Sequence, residues 1–167
     1  MDQTKIIKLI YDKYENEWGI LYDENNEIVI DKAVILDNLP TKMNGIDIDV
    51  NRLLNVYSWG VKKDRKTVNC DIIFDLRKFQ TKIDKDIDIQ TITGLSDIIQ
   101  NSVIAHPKFL DLINTIVENI ETLNPKSIGF ICNHGKHRSV AWAELLHKLY
   151  YKNAKVKHLC RKNWTLN

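Results

Sequence analysis

One succession of segments near the C-terminus most constrains the fold. It consists of a short apolar run, then a loop of charged and polar residues, then a helix-like run. Residues 128–131 are apolar, residues 132–139 are Cys-Asn-His-Gly-Lys-His-Arg-Ser, and residues 140–151 have helical periodicity. The order predicts a strand, a tight loop and a helix. A loop at the amino end of a helix exposes unpaired N–H groups and the positive end of the helix dipole. We therefore expect this loop to bind an anion.

The residue types in the loop support this expectation. Successive N–H groups around Gly135 can form a concave nest for phosphate oxygens, and glycine tolerates the positive φ that a curled loop needs. Arg138 offers a planar fork for two oxygens. Positive surroundings favour a thiolate at Cys132, and Ser139 can cap the helix or donate to the sulfur. The alternative is a structural turn in which Cys132 merely ends a buried strand. The candidate ligand-binding residues of the loop are Asn133, His134, Gly135, Lys136, His137, Arg138 and Ser139.

The region around this loop alternates between strand-like and helix-like segments. Strands are predicted at residues 53–59, 69–76, 127–131 and 155–159, and helices at residues 96–104, 109–123 and 139–152. This alternation predicts an α/β fold with a mixed, mostly parallel sheet and helices on both faces. The ends of the first three strands should lie side by side, where such sheets bind ligands. Ser58, Asp75 and Arg77 would then share one pocket with the loop.

The first 51 residues have a different pattern. Residues 3–17 place apolar side chains on one side of a helix, and residues 18–23 and 27–31 alternate like the two strands of a hairpin. An extended run is expected at residues 33–36, and residues 46–50 fit either an edge strand or a loop. We therefore divide the chain into a small N-terminal helix and hairpin extension, residues 1–51, and an α/β domain, residues 52–167.

Composition excludes several classes of protein. No apolar run is long enough to span a membrane, and the N-terminus lacks the basic start and apolar stretch of a signal peptide. Three widely spaced cysteines argue against a disulfide framework and for a reducing compartment, so we expect a cytoplasmic protein. No pair has the spacing of zinc ligands. We predict neither a metal nor a cofactor.

The charges are unevenly distributed along the chain. Residues 126–167 hold nine Lys or Arg residues and a single acid, Glu144, whereas the first 125 residues carry an acidic excess. Such asymmetry indicates a polyanionic partner such as RNA, and Tyr150, Tyr151 and Trp164 are placed to stack on bases. The alternative is a solvated helix face and tail. The candidate RNA-binding residues are Lys152, Lys155, Lys157, Arg161 and Lys162.

Four blocks, taken together, resemble the C-terminal domain of the RapZ family of RNase adapter proteins. They are residues 56–60 (Val-Tyr-Ser-Trp-Gly), 70–77 (Cys-Asp-Ile-Ile-Phe-Asp-Leu-Arg), 93–95 (Thr-Gly-Leu) and 131–140 with its Cys-x5-Arg-Ser. The resemblance covers about residues 52–162 and implies an α/β domain that senses a phosphosugar, contacts small RNA and presents it to a nuclease. It implies that the loop binds the anion with support from Arg77 and Asp75. His134 departs from the paired glycines usual in the family, and no Gly-x4-Gly-Lys-Ser/Thr sequence occurs in the chain.

Two functions of different classes are consistent with these observations. The favoured one is a binding module, without catalysis, whose partner is a phosphorylated small molecule or RNA. The alternative is a cysteine-dependent phosphatase in which Cys132 attacks phosphorus, Arg138 holds the oxygens, and Asp75 or Asp97 protonates the leaving group. A protein–protein adaptor with a vestigial loop is a third interpretation. The sequence also leaves a homo-oligomer open.

Overall fold

The computed structural model describes residues 4–9, 32–62 and 68–164. Seven strands lie in these ranges: β1 (Lys5–Lys8), β2 (Lys42–Met43), β3 (Ile46–Asp47), β4 (Asn55–Gly60), β5 (Ile72–Asp75), β6 (Ser127–Cys132) and β7 (Lys155–His158). Four α-helices accompany them: α1 (Lys32–Asp37), α2 (Asp97–Ile104), α3 (Phe109–Leu123) and α4 (Arg138–Leu149). Two short 3-10 turns lie at Ile89–Thr91 and Arg161–Asn163. The predicted strands and helices of the α/β region are therefore all present.

Five of the strands form one sheet in the order β1-β5-β6-β4-β7, and every neighbouring pair is parallel. Parallel strands require crossover connections, which α2 and α3 supply between the neighbours β5 and β6, and α4 supplies between β6 and β7, on the two sides of β4. Strands β2 and β3 form a separate antiparallel hairpin. The predicted fold class, an α/β fold with a parallel sheet flanked by helices, is confirmed, although α2, α3 and α4 pack on one face of the sheet and not on both.

The two faces of the sheet are covered differently. Val56, Phe74 and Phe130 point toward the helices and belong to the main core with the apolar faces of α2, α3 and α4. Trp59 and Ile131 point the other way, into a smaller apolar cluster. We call this second side the far face. Alternation along each strand produces the division, because successive side chains of a strand point to opposite faces.

The helix ends follow the signals in the sequence. Ser96 caps α2 by accepting a hydrogen bond from the amide of Ile98, and α2 ends at Ile104, as predicted. Helix α3 begins and ends at the predicted residues, and Asn124 closes it in the left-handed conformation, at φ 52°. In the hairpin, Asn44 and Gly45 both have positive φ, which a tight two-residue turn requires.

Two expectations for the N-terminal part are wrong. Residues 5–8, predicted as part of a helix, form strand β1 and pair with β5. Residues 33–36, predicted as extended, lie within helix α1. The run at residues 33–36 is too short for its apolar spacing to separate a helix from a strand. For residues 5–8, pairing with the distant strand β5 prevails over the local helical spacing. The predicted remainder of the first helix and the hairpin of residues 18–31 lie outside the described residues.

Strand β1 belongs to the main sheet although it precedes residue 52, where the predicted α/β domain begins. It forms the edge beside β5, and Leu9, directly after it, lies in the main core. The backbone amide of Leu9 donates to the carbonyl of Asp75 over 2.9 Å. The end of β1 is therefore fixed against the end of β5.

Candidate anion-binding site

The site lies where parallel strands end. Strand β6 pairs with β5 on one side and with β4 on the other, so these three strand ends lie side by side, as predicted. Within the aligned rows, Lys8 is the partner of Asp75, and Asp75 is the partner of Ile131. Cys132 follows directly and opens the loop. The charged residues after β5 therefore lie next to the entry of the loop.

The interior of the loop is organised around the sulfur of Cys132. The amide of Gly135 donates to Sγ over 3.2 Å, and Ser139 Oγ lies 3.1 Å from Sγ. Gly135 adopts φ 67°, in the region that favours glycine. Cys132 is only 3 % exposed and Ser139 is fully buried. The sulfur therefore lies at the base of the loop, beneath the backbone.

Helix α4 presents its amino end at the top of the loop. Its first backbone hydrogen bond runs from the amide of Ala141 to the carbonyl of His137, over 2.9 Å. The amides of Arg138, Ser139 and Val140 precede that bond and have no acceptor in the first turn of the helix. The positive end of the helix dipole coincides with these amides. This arrangement suits a negatively charged group.

Two basic side chains of the loop contact the neighbouring segment around the first 3-10 turn. Lys136 Nζ donates to the carbonyl of Gln90 over 2.6 Å. His137 Nε2 lies 2.8 Å from the carbonyl oxygens of both Ile89 and Ile92. Because a carbonyl oxygen only accepts, Nε2 must carry the proton. These side chains therefore fasten the segment over the loop.

His137 is held in its neutral form. Burial lowers its pKa below the ordinary value, and the charges of Lys136 and Arg138 lower it further, although the two carbonyl contacts oppose the shift. The sequence placed His137 among the ligand-binding residues of the loop. The structure shows an imidazole that donates one hydrogen bond to backbone carbonyls and stays uncharged near neutral pH.

Arg138, the arginine of the Cys-x5-Arg-Ser pattern, also contacts the backbone. Its Nη1 donates to the carbonyl oxygens of Leu76, Arg77 and Phe79, over 3.2, 3.0 and 2.8 Å. Within the described part of the chain, its Nη2 and Nε make no hydrogen bond. The sequence assigned Arg138 to an anion, whereas the structure places one of its nitrogens at the turn that follows β5.

That turn carries an ion pair. Arg77 donates from Nε and Nη2 to both carboxylate oxygens of Asp75, at 2.6 to 3.1 Å, and the backbone amide of Arg77 donates to Oδ1. The side chain of Asp75 is 6 % exposed and that of Arg77 is 45 % exposed. Burial alone would raise the pKa of Asp75, but the hydrogen bonds and charge of Arg77, with the charge of Lys8, hold it below its usual value. The carboxylate therefore remains charged and orients the guanidinium.

Ser58 lies in a different environment from the one predicted for it. It is fully buried, and its Oγ lies 2.6 Å from Nδ1 of His158. His158 Nε2 lies 2.7 Å from Glu144 Oε1 and donates to it, because a carboxylate accepts. This hydrogen bond is the main reason that the pKa of Glu144 is lowered. Ser58 therefore links β4, β7 and α4 on the helix side of the sheet, instead of lining a surface pocket.

Sequence reasoning did not connect His158 with Glu144. One signal was available, since Glu144 is the single acid of residues 126–167. A lone carboxylate among basic residues on a helix that packs on the sheet indicates a buried cationic or histidine partner.

The predicted RNA-binding cations all lie at the surface. Strand β7 is an edge strand, and the cations occupy it, the turn before it and the 3-10 turn after it. The exposed residues are Lys152, Lys155, Lys157, Arg161 and Lys162. The predicted stacking tyrosines are not exposed: Tyr150 donates to the carbonyl of Pro40 and Tyr151 to Glu121, and both are buried in the core. Their role in base stacking is therefore corrected to one in packing.

Trp164 links the C-terminal turn to the loop. Its indole N–H donates to the carbonyl of Gly135 over 2.9 Å, and its ring lies 5.8 Å from that of His158. The guanidinium of Arg161 lies 5.7 Å from the centre of the indole ring. The loop is therefore supported from the side of β7 as well as from the segment around residue 90.

Two further kinds of feature are absent from residues 4–9, 32–62 and 68–164. No helix in those ranges is both long and apolar enough to cross a membrane. No three side chains of the His, Cys, Asp and Glu types come together there in an arrangement that would hold a metal ion.

Comparison with known proteins gave two findings. The family model described as the RapZ C-terminal domain matches residues 52–163. A protein of Thermosipho melanesiensis, described as a nucleotide-binding protein, is 29 % identical over an alignment of 167 residues. That alignment includes 93 % of this chain and 59 % of the relative, so the chain spans less than two thirds of the relative's length.

Proposed function

Because the chain belongs to the family of the RapZ C-terminal domain, we propose that it is a regulatory module that binds a phosphorylated ligand at the amino end of α4. One observation supports this proposal most directly. The first amides of α4 lack acceptors within the helix, and they lie beside the turn on which Asp75 orients Arg77. Backbone amides and a fixed guanidinium are the groups that bind phosphate most directionally.

The residues have distinct roles in this proposal. The backbone from Asn133 to Ser139 receives the phosphoryl oxygens, and Gly135 permits the curvature. Arg77 contributes a positive charge that Asp75 holds in place. Lys136, His137 and Arg138 bind the loop to its neighbours through backbone carbonyls, and so they keep the amides in place. The ligand is a phosphosugar, a nucleotide or an RNA phosphate; the name of the Thermosipho melanesiensis relative supports the inclusion of nucleotides.

A titration with inorganic phosphate, followed by the NMR signals of the backbone amides, tests the proposal. We expect saturable shifts in the signals of residues 133–140, and none when chloride is added to the same ionic strength. Arg77→Gln should weaken phosphate binding about tenfold, since a charge-assisted contact is lost. Lys42→Gln, which removes an exposed cation from the β2–β3 hairpin, is the matched control and should have no effect. Signals in the loop that do not respond to phosphate would refute the proposal.

The phosphatase alternative is less consistent with the site. An amide and a hydroxyl beside the sulfur of Cys132 would suit a nucleophile. A phosphatase also needs a proton donor, however, and the lowered pKa of Asp75 keeps that carboxylate charged at neutral pH. The assay is hydrolysis of p-nitrophenyl phosphate by the wild type and by Cys132→Ser. If the wild type hydrolyses it and Cys132→Ser does not, the protein is an enzyme and the binding-module proposal is wrong.

RNA is the second candidate partner, and the exposed cations around β7 favour it. These exposed cations, which we call the basic strip, lie on β7 at the edge of the described sheet, in the turn before it and in the 3-10 turn after it. Phosphate contacts by lysine and arginine supply most of the affinity of non-specific nucleic-acid binding. We propose that this strip contacts an RNA backbone.

A further inference from the structure

We infer that the loop does not bind the whole anion: a second anionic group of the same ligand lies in a neighbouring pocket that strand β1 completes with Lys8. Lys8, Asp75, Arg77 and Lys78 line this open pocket of about 360 Å³. Lys8 precedes the residues matched to the family, 52–163, so the inference concerns a feature of this chain beyond that match. It rests on the proposed function. The ligand class is a phosphoester that carries further phosphates in a chain, as nucleotides do.

The strand register places the pocket beside the loop. Lys8 is aligned with Asp75 across β1 and β5, and Asp75 with Ile131 across β5 and β6. The amide of Leu76 donates to the carbonyl of Ile131 over 2.8 Å, so the turn after β5 stays at the end of β6. Cys132 then begins the loop. A chain of linked phosphates can therefore extend from the amino end of α4 toward Arg77 and Lys8.

The charges of the pocket favour an anion. Three cations face one carboxylate, and both oxygens of Asp75 are already occupied by Arg77. Burial raises the pKa of Asp75, but Arg77 and, to a smaller extent, the nearby charge of Lys8 lower it, which is further evidence that Lys8 lies close to this carboxylate. Lys8 and Lys78 are both exposed. The pocket thus retains an excess of positive charge for a ligand to neutralise.

Alternation along β1 separates two lysines of the same strand. Lys8 lies on the far face with Asp75, whereas Lys5 lies on the helix side and donates from Nζ to Asn119 Oδ1 of α3 over 3.2 Å. The two residues have the same charge and are three positions apart. Lys5 therefore provides a control for the loss of one positive charge from β1.

Arg138 connects the two parts of the site. Its Nη1 holds the carbonyls of Leu76, Arg77 and Phe79, the turn that carries Arg77 and Lys78 into the pocket. The same residue begins α4, whose first amides form the other part. The loop and the pocket are therefore fixed relative to each other by one side chain.

Binding of inorganic phosphate and of inorganic tripolyphosphate, compared by calorimetry at equal ionic strength, tests this inference. The wild type should bind tripolyphosphate more tightly than phosphate. Lys8→Gln should weaken tripolyphosphate binding about fivefold and leave phosphate binding unchanged. Lys8→Arg, which keeps the charge, should restore the affinity. Lys5→Gln should change neither.

The outcomes separate this inference from the proposed function. If phosphate still shifts the amide signals of the loop, and Lys8→Gln binds tripolyphosphate as the wild type does, the pocket plays no part and the inference is wrong. An equal loss of tripolyphosphate affinity in Lys5→Gln and Lys8→Gln would also contradict the inference, since only the net charge of the protein would then affect binding. If neither anion affects the loop, the proposed function fails and this inference fails with it.

Discussion

At the scale of single residues, Arg138 lies in the predicted strand–loop–helix segment, but one of its nitrogens contacts backbone carbonyls of a distant turn. The spacing from Cys132 predicted a guanidinium beside an anion, and it located the loop correctly at the junction of β6 and α4. Sequence spacing does not reveal which carbonyls lie within reach, however. The acceptors of Arg138 lie in the turn at residues 76–79, about sixty positions earlier, and only the folded sheet brings them there.

This geometry predicts the effect of a conservative substitution. Arg138→Lys keeps the positive charge. It puts a compact ammonium group in place of the planar guanidinium that contacts three carbonyls. We expect the free energy of unfolding to fall by about 2 kcal/mol, the usual value for lost hydrogen bonds of a charged donor. Urea denaturation measures the change. Arg161→Lys, at an exposed arginine over Trp164, is the matched control, and equal stability of the two variants would contradict the assigned contacts.

At the scale of elements, the amino end of α4 depends on a close approach of the turn before α2. The amide of Gly94 donates to the carbonyl of Lys136 over 2.8 Å. A Cβ added to Gly94 would lie 2.3 Å from the carbonyl oxygen of His137 and 2.4 Å from the amide of Ala141. These are backbone atoms of the loop and the helix, so they cannot move aside without displacing the site.

Gly94→Ala should therefore damage both stability and the site. We expect a loss of about 3 kcal/mol in the free energy of unfolding, from overpacking against backbone, with weaker phosphate binding. Gly45→Ala is the comparison, because Gly45 has φ 78° but open space around its Cβ position. It should cost about 1 kcal/mol, from backbone strain alone, and leave phosphate binding intact. Urea denaturation and phosphate titration of both variants check this; a smaller loss for Gly94→Ala than for Gly45→Ala would contradict it.

The elements that the sequence predicted well are those with local signals. Ser96 and Asn124 mark helix ends through contacts with residues a few positions away, and the long apolar periodicity of α3 permits only a helix. Strand β1 lacks such a signal. Its identity as a strand depends on pairing with β5, more than sixty residues later, and this is also why the pocket of Lys8 could not be found from the sequence.

At the scale of the whole molecule, positive charge is found in two separate places. One is the site at the ends of β1, β5 and β6, where cations are paired with Asp75 or with backbone carbonyls. The other is the edge at β7, where Lys155 and Lys157 are exposed and point to the same side of the strand. The asymmetry of charge in the sequence pointed only to the C-terminal cations, because Lys8 and Arg77 of the other site lie in the part of the chain that carries an acidic excess. A small ligand suits the pocket at the strand ends, and an extended polyanion suits the edge.

The separation of the two regions leads to a prediction for RNA. A single-stranded RNA oligonucleotide with a fluorescent label should bind with an affinity that falls as salt rises, because phosphate contacts release counterions. A triple variant that combines Lys155→Glu, Lys157→Glu and Arg161→Glu tests this. It should reduce the slope of log affinity against log salt concentration by about 2, at about 0.7 per lost phosphate contact. Fluorescence anisotropy at several salt concentrations measures the slope.

The control reverses the same number of charges elsewhere, at three exposed lysines on α1, on the β2–β3 hairpin and before the first 3-10 turn: Lys32, Lys42 and Lys85. Since these residues lie outside the β7 edge, their reversal should leave the slope unchanged while it alters the net charge equally. If both triple variants lose the same affinity, RNA responds only to net charge, and the β7 edge is not its binding surface. If the β7 variant binds RNA as the wild type does, the edge makes no phosphate contacts. That result would not bear on phosphate binding at the amino end of α4, because the variant changes no residue of that site.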